Sequence, residues 1–506
     1  MQRFNVPIRS LFAALLLGTS ACASAAPSPD DSADTAADTA ADTALAVDAD
    51  RDGWAADVDC DEANAAVNPG AAEVCGNDTD EDCDGLAPGC GPARTFAVDG
   101  DTPRVYGSAG RGLGGHLATG DLDADSVPDL VASTGIGSDG ACGASVAFGP
   151  VSGVHDIDEV GARLTAEDVP CWGPAPVAVG DLDGDGTDDV AIGRNDSRDE
   201  YTAGSIWVGF GPFTRSGANT AAIVLPGQGG QRFGERVDVA DVTGDGVAEL
   251  LTASGDACGI GAFTAASVTA DTAAFWLYSG LMDCVTTPSV VGGGDVDGDG
   301  IGDVLVAYVA NNGAEVDVIP GGSSGAVEVD QLDVRVATER DAPSRGAELA
   351  FGDLNDDGLA DLVARVYEGG LGGHGDTYVV FGPGTGVAEL GAADVILRGE
   401  PDGEITTLSA ATGDADGDGA ADLLLGAGVG GTAAWAYLGP LAPGTASLDE
   451  ADVAVTADAD TLGDLGPTIA LSDFDGDGLG DLLLGAWRAP EGGADGGVVY
   501  AAAWEE

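Results

Sequence analysis

"GDLDGDGTDDV", running from Gly180 to Val190, places Asp181, Asp183, Asp185 and Asp189 in one tight stretch. In a chain of net charge −69, carboxylates this close repel one another unless a cation sits among them. Hard divalent cations such as calcium take six to eight oxygen ligands, and side chains at positions 1, 3 and 5, a carbonyl at 7 and a carboxylate at 9 can wrap one. Gly186 at position 6 allows the sharp turn that such a loop needs. A single copy does not separate a calcium loop from an ordinary Asp-Gly surface turn.

The stretch recurs. Counted from the first ligand position, copies begin at Asp121, Asp181, Asp241, Asp295, Asp353, Asp414 and Asp473, at spacings of 60, 60, 54, 58, 61 and 59 residues. Each is followed by a short apolar run, such as "DVAIG" from Asp189 or "DLLLGA" from Asp422 and from Asp481. About 25 to 30 residues after the first Asp comes a second marker, an apolar run closing in Gly-Pro, at Pro150, Pro212, Pro383 and Pro440. Short β-branched and aromatic runs between Gly, Asp and Pro clusters read as strands, and nothing between them reads as a helix of useful length. A period of this length with about four strands is the pattern of a β-propeller. One small sheet cannot bury both faces, whereas sheets packed around an axis bury each face against a neighbour. The 83 glycines among 506 residues, more than twice the usual share of about 7%, suit a chain of turns and close inter-sheet packing. The expected fold class is all-β: a seven-bladed β-propeller with calcium-binding Asp loops, preceded by a small disulfide-rich module.

The unit "FGERVDVADVTGDGVAEL", Phe233 to Leu250, resembles the FG-GAP repeat of integrin α-subunit propellers and their bacterial relatives, over roughly Arg94 to Glu506. The resemblance implies that each blade's first strand ends in the Asp loop and that the loop binds calcium. Carried over, the ligands are Asp181, Asp183, Asp185 and Asp189; Asp295, Asp297, Asp299 and Asp303; Asp353, Asn355, Asp357 and Asp361; Asp414, Asp416, Asp418 and Asp422; and Asp473, Asp475, Asp477 and Asp481. Two copies depart from the pattern. The first keeps Asp121, Asp123, Asp125 and Asp129 but has Ser126 for the turn glycine and Pro128 at its exit. The third has Thr243 and Glu249 beside Asp241 and Asp245, so weaker binding is expected in both. Five to seven calcium ions in the propeller is the resulting expectation.

Ahead of the repeats the chain changes character. Arg3 and Arg9 precede "LFAALLLG" from Leu11, a signal-peptide pattern too short to span a membrane. "ASA" ending at Ala25 suits an ordinary signal peptidase, while "LGTSAC" ending at Cys22 is close to a bacterial lipobox; both alternatives stand. Residues 1–25 are thus read as the signal and 26–47 as an acidic low-complexity linker. Residues 48–91 hold Cys60, Cys75, Cys83 and Cys90 among dense acids. There Asp48, Asp50, Asp52 and Asp59 occupy positions 1, 3, 5 and 12 of an EF-hand-like loop with Gly53 at 6, with room for one or two ions. "NPGAAEVC" followed by "DEDCDG" resembles the Cys-rich metal-binding module named after the MopE copper protein. Copper prefers imidazole or soft sulfur, and this segment has no His, so disulfides are the expected use of its cysteines. Trp54 reads as a packing residue.

No enzyme is expected. The chain has three histidines, His116, His155 and His374, at unrelated places in the repeat, and no nucleophile elbow or phosphate loop. His116 reads as a packed residue. Extreme acidity argues against nucleic acid and anionic membrane, leaving a membrane association only through an N-terminal lipid. The expectation is a monomeric, secreted or outer-surface bacterial lipoprotein that acts in adhesion or in recognition of a protein or glycan. The alternative is a secreted carbohydrate-active enzyme or lectin using one propeller face, and "GGLGGHGDTY" from Gly369 is the irregular loop that would bear on it. Two structural expectations follow. "RTFAV", Arg94 to Val98, should pair antiparallel with Val498 to Ala502 and complete the last blade. Cys142 should bond to Cys171 and Cys258 to Cys284, the first of each pair lying in a loop between second and third strands.

Overall fold

The computed structural model describes Trp54, Asn64 and Val67, and residues 94–502 apart from interspersed stretches, the longest 195–203, 264–274, 279–288, 399–407 and 458–467. The chain divides into two units, Met1–Pro69 and Gly70–Glu506. In the first, Val67 is buried and Trp54 is 39% exposed, so Trp54 lies more at the surface than a packing residue would. The signal and linker calls, Asp48, Asp50, Asp52, Asp59 and the four cysteines of the Cys-rich module fall outside the described residues.

The second unit is an all-β propeller. Among the described residues its only α-helix is the single turn Ile157–Val160, and no helix is long and apolar enough to cross a membrane. The described strands form seven hydrogen-bonded sheets of four or five strands. In the sheet built on Gly180, Val177–Gly180 pairs antiparallel with Asp189–Arg194, that with Ser205–Gly209, and that with Ile223–Pro226. The acidic loop is the hairpin between the first two. The first strands stand side by side in sequence order, and Thr468–Ser472 returns against Leu113–Gly120, closing a ring. Residues from all of them line a central cavity of about 210 Å³.

Successive apolar side chains of the second strands are buried on both faces and pack between neighbouring sheets, Leu424 in one cluster and Leu423 and Leu425 in the next, and six apolar clusters form among the described residues. One joins Leu122, Val131 and Val146 to Val190, Ile192 and Trp207; burial on both faces is what a lone sheet could not achieve. Close packing explains the glycine that precedes five of the seven loops. A Cβ on Gly180 would lie 2.6 Å from Val239 Cγ1 of the next sheet.

The first and last described strands of the propeller come together at the ring closure, but not as the sequence suggests. Val498–Ala502 takes Arg104–Tyr106 as its antiparallel partner, with Arg104 opposite Tyr500. Arg94–Val98 instead pairs parallel with Val453–Ala457 of the preceding sheet. The reason is a connection used around the ring: between its third and outer strands, a repeat lays a short strand parallel on the outer strand of the sheet before, as six of the seven do among the described residues. Val154–Asp156 does this to Arg104–Tyr106, Ala218–Thr220 to Gly161–Pro170, and Gly444–Ser447 to Val395–Arg398. Arg94–Val98 is that parallel strand for the last repeat, and Arg104–Tyr106 is its outer one. The cysteine expectation is corrected in one detail: Cys142 lies within the third strand Ala141–Ala147, not in the loop before it. Cys171, Cys258 and Cys284 fall outside the described residues, as does His374.

Candidate metal centres in the acidic loops

Each loop is wound by its own carboxylates. In the loop that begins at Asp181, the Asp181 side chain accepts from the backbone N–H groups of Gly184 (2.6 Å) and Gly186 (2.8 Å). Asp183 accepts from Asp185 N at 3.2 Å, and Asp185 from Thr187 N at 2.9 Å. Gly184 and Gly186 have φ of 77° and 87°, the left-handed region that favours glycine.

Asp189, at position 9, behaves differently. It is fully buried, and its two oxygens accept from Leu182 N at 2.9 Å and Gly211 N at 2.8 Å. It therefore pins the start of the loop to the end of the third strand. The same staple is made by Asp129 to Leu122 and Gly149, Asp303 to Val296 and Gly321, Asp361 to Leu354 and Gly382, and Asp422 to Ala415 and Gly439. This second duty was not read from the sequence, although its signal was there. The glycine of the Gly-Pro marker is the residue whose N–H meets the staple.

The folded loops bring together a subset of the expected ligands. Oxygens of Asp121, Asp123 and Asp129 lie within 4.8 Å of one another, as do those of Asp181, Asp183 and Asp189; Asp414, Asp416 and Asp422; and Asp473, Asp475 and Asp481. In the fourth loop the close triad is Asp295, Asp297 and Asp299. Asp125, Asp185, Asp418 and Asp477 stand outside these triads and accept instead from the N–H two residues on. The loops at Asp241 and Asp353 form no such triad among the described residues. Their third positions are Thr243 and Asn355, and the Asn355 amide donates to Asp357 at 3.0 Å. Glu249 keeps half of the staple, accepting from Val242 N at 3.1 Å and from the Thr243 hydroxyl at 3.3 Å.

Burial raises the position-9 carboxyls far above the ordinary range: Asp129, Asp189 and Glu249 to about 7, and Asp361, Asp422 and Asp481 to about 6. Backbone N–H bonds pull the other way, and neighbouring carboxylates add to the rise. Asp123 Oδ1 and Asp473 Oδ1 are buried with no donor facing them. A buried carboxylate oxygen without a partner is costly, and a hard cation bound by oxygen ligands would satisfy it. The donor set thus fits a metal ion of that class.

The loops also join the sheets. Asp188 N donates to Asp121 O at 3.0 Å, Ala248 N to Asp181 O at 2.9 Å and Ala360 N to Asp295 O at 2.9 Å, each from one repeat to the loop before it. Val151 N donates to Phe474 O at 3.1 Å across the ring closure. A loop that loses its shape therefore loosens an inter-sheet contact.

Two family models match the chain: the FG-GAP repeat over residues 177–208, and the metal-binding motif Cu-binding_MopE over residues 59–87. No curated protein matches it. Among solved structures, it is similar to the WD40 domain of Toxoplasma gondii coronin, at 9% identity over 80% of this chain and 85% of that chain, with a TM-score of 0.47. It is also similar to the Bacillus licheniformis rhamnogalacturonan lyase PL11, at 12% identity over 80% of this chain and 75% of that chain, with a TM-score of 0.39. The FG-GAP match spans one first strand, its acidic loop, the second strand and most of the third, which is the stretch of chain that builds one candidate metal centre.

Proposed function

We propose that this chain is a secreted or outer-surface protein whose seven sheets are the blades of a calcium-loaded propeller, acting in adhesion or in recognition of a protein or glycan, with the ions structural. The observation that carries the reading is the clustering of three carboxylate oxygens within 4.8 Å in five loops of a chain already at −69. Such repeated chemistry suits a scaffold, whereas catalysis needs one asymmetric site, so the acidic loops are not assigned to an enzyme.

Binding to the folded state alone contributes about 2.7 kcal/mol per site at a hundredfold excess over the dissociation constant. Five sites contribute on the order of 13 kcal/mol on that rule, comparable to a whole domain's stability. Excess EDTA is expected to lower the melting temperature steeply, with recovery on adding calcium. An unchanged melting curve overturns the structural role of the ions. Recognition is tested with glycan and protein arrays probed with the calcium-loaded chain; silence on both overturns it.

A further inference from the structure

The central cavity breaks the repeat. Five residues ahead of each loop's first Asp, within or just before the successive first strands, stand His116, Pro176, Arg236, Val290, Glu348, Ser409 and Thr468, and all of these line the cavity. Two residues further on, six repeats carry alanine or glycine and the third carries Asp238. Where the acidic loops are repeated with few changes, this level holds a different residue in every repeat. A wall needed only for packing would be small or apolar throughout. Here a guanidinium, two carboxyls, an imidazole and two hydroxyls converge instead.

The charges are paired and set in place. Arg236 and Glu348, two repeats apart, meet across the cavity at 3.8 Å, and both remain more than a third exposed to it. Asp238 accepts from Gly292 N at 2.8 Å. Burial first, then Arg236, pushes His116 down to about 4, so it is a neutral donor and acceptor at physiological pH. Burial raises the Glu348 carboxyl above its ordinary range, while Arg236 and then, behind it, the fully buried Arg365, which donates to Gly426 O at 2.8 Å, pull it back down.

This arrangement selects against net charge. An anion meets Asp238, Glu348 and the field of a strongly acidic chain, while a cation meets Arg236 with Arg365 behind it. A ligand whose hydroxyls both donate and accept can serve the carboxyls, the guanidinium and the imidazole together. Val177, Val237, Leu349 and Ile469 also line the cavity and offer apolar surface to C–H groups. We propose that the central cavity, at the level of His116, Arg236, Asp238 and Glu348, binds a neutral monosaccharide. This site is separate from the acidic loops, so its failure and that of the calcium reading are distinguishable: one is read by sugar binding, the other by melting with chelator.

The test is calorimetric titration of the calcium-saturated full chain with glucose, galactose, mannose, fucose and rhamnose. Galacturonate, glucosamine and glycine betaine serve as the anionic, cationic and zwitterionic probes. Saturable binding of at least one neutral sugar is expected, weakened tenfold or more in Arg236→Gln/Glu348→Gln, with the melting temperature little changed. Should the double variant not fold, Glu348→Gln alone, which keeps the shape of the side chain, carries the same criterion. No binding of any neutral sugar at 50 mM (on the order of the weakest useful affinity), binding of charged probes only, or unchanged affinity in the variants overturns the proposal.

Discussion

Position 9 of the acidic loop carries two duties that the sequence shows as one. Asp183 and Asp189 both belong to the second loop's triad, but only Asp189 also holds the N–H groups of Leu182 and Gly211. Truncation of either removes an ion ligand. Truncation of Asp189 further strands two backbone donors, at about 1–3 kcal/mol for a buried one and less for Gly211, which is partly exposed. In saturating calcium, Asp189→Ala is therefore expected to cost about 2–4 kcal/mol more than Asp183→Ala in denaturant unfolding, although both lose one bound ion by equilibrium dialysis. Equal costs would mean that the staple contributes nothing beyond the metal. The departure flagged at Ser126 in the first loop also has a physical content. Ser126 and Ala124, the latter not singled out in the sequence, adopt φ of 70° and 65°, the conformation of Gly186 and Gly184 in the second loop, at a strain of about 1–2 kcal/mol each. Their side chains do not prevent the close triad of Asp121, Asp123 and Asp129.

At the scale of the element, what was legible was what has a local signature. Hairpins turning on Asp and Gly, outer strands such as Val395–Arg398, and the near-absence of helix all follow from short-range pattern. The fifth strands were not legible. Gly386–Glu389 and Gly444–Ser447 are four residues each, and parallel pairing with a neighbouring repeat leaves no turn to read. The same blindness moved the ring closure. Arg94–Val98 has a strand-like pattern, while the three-residue Arg104–Tyr106 does not stand out. For the sites, spacing gave the candidate ligands, but only folding shows that position 5 turns to a backbone N–H. The non-repeating residues of the central cavity lie within or just before first strands that look interchangeable one repeat at a time. The closure makes a distinction that can be measured. Val105→Pro removes a donor from a short outer strand in which Val105 is buried and paired with Val499, and should lower stability by about 3 kcal/mol or more. Removal of residues 1–98, which takes only an added parallel strand from the ring, should cost less by the same melting assay. The reverse order would show that Arg94–Val98, not Arg104–Tyr106, closes the ring.

For the whole molecule, charge and metal are linked through protons. Without a cation, Asp129 and Asp189 titrate near 7 and Asp361, Asp422 and Asp481 near 6, against about 3.9 in an unfolded chain. A carboxyl whose folded pKa is raised binds more protons folded than unfolded over that interval. Its contribution is thus fully present below about 4 and is lost as pH rises through 6 to 7. The metal-free protein should accordingly gain stability as pH falls from 8 towards 5, while calcium must displace those same protons to bind. The rise in melting temperature on adding calcium, taken at fixed ionic strength because surface repulsion is screened by salt, is expected to be largest at pH 8 and to shrink steadily to pH 5. Metal-free melting alone should move the opposite way, upward with acidification. Parallel curves with and without calcium over that range would mean that the ions do not act through the buried carboxylates, and would detach the stability of the propeller from the chemistry of its loops.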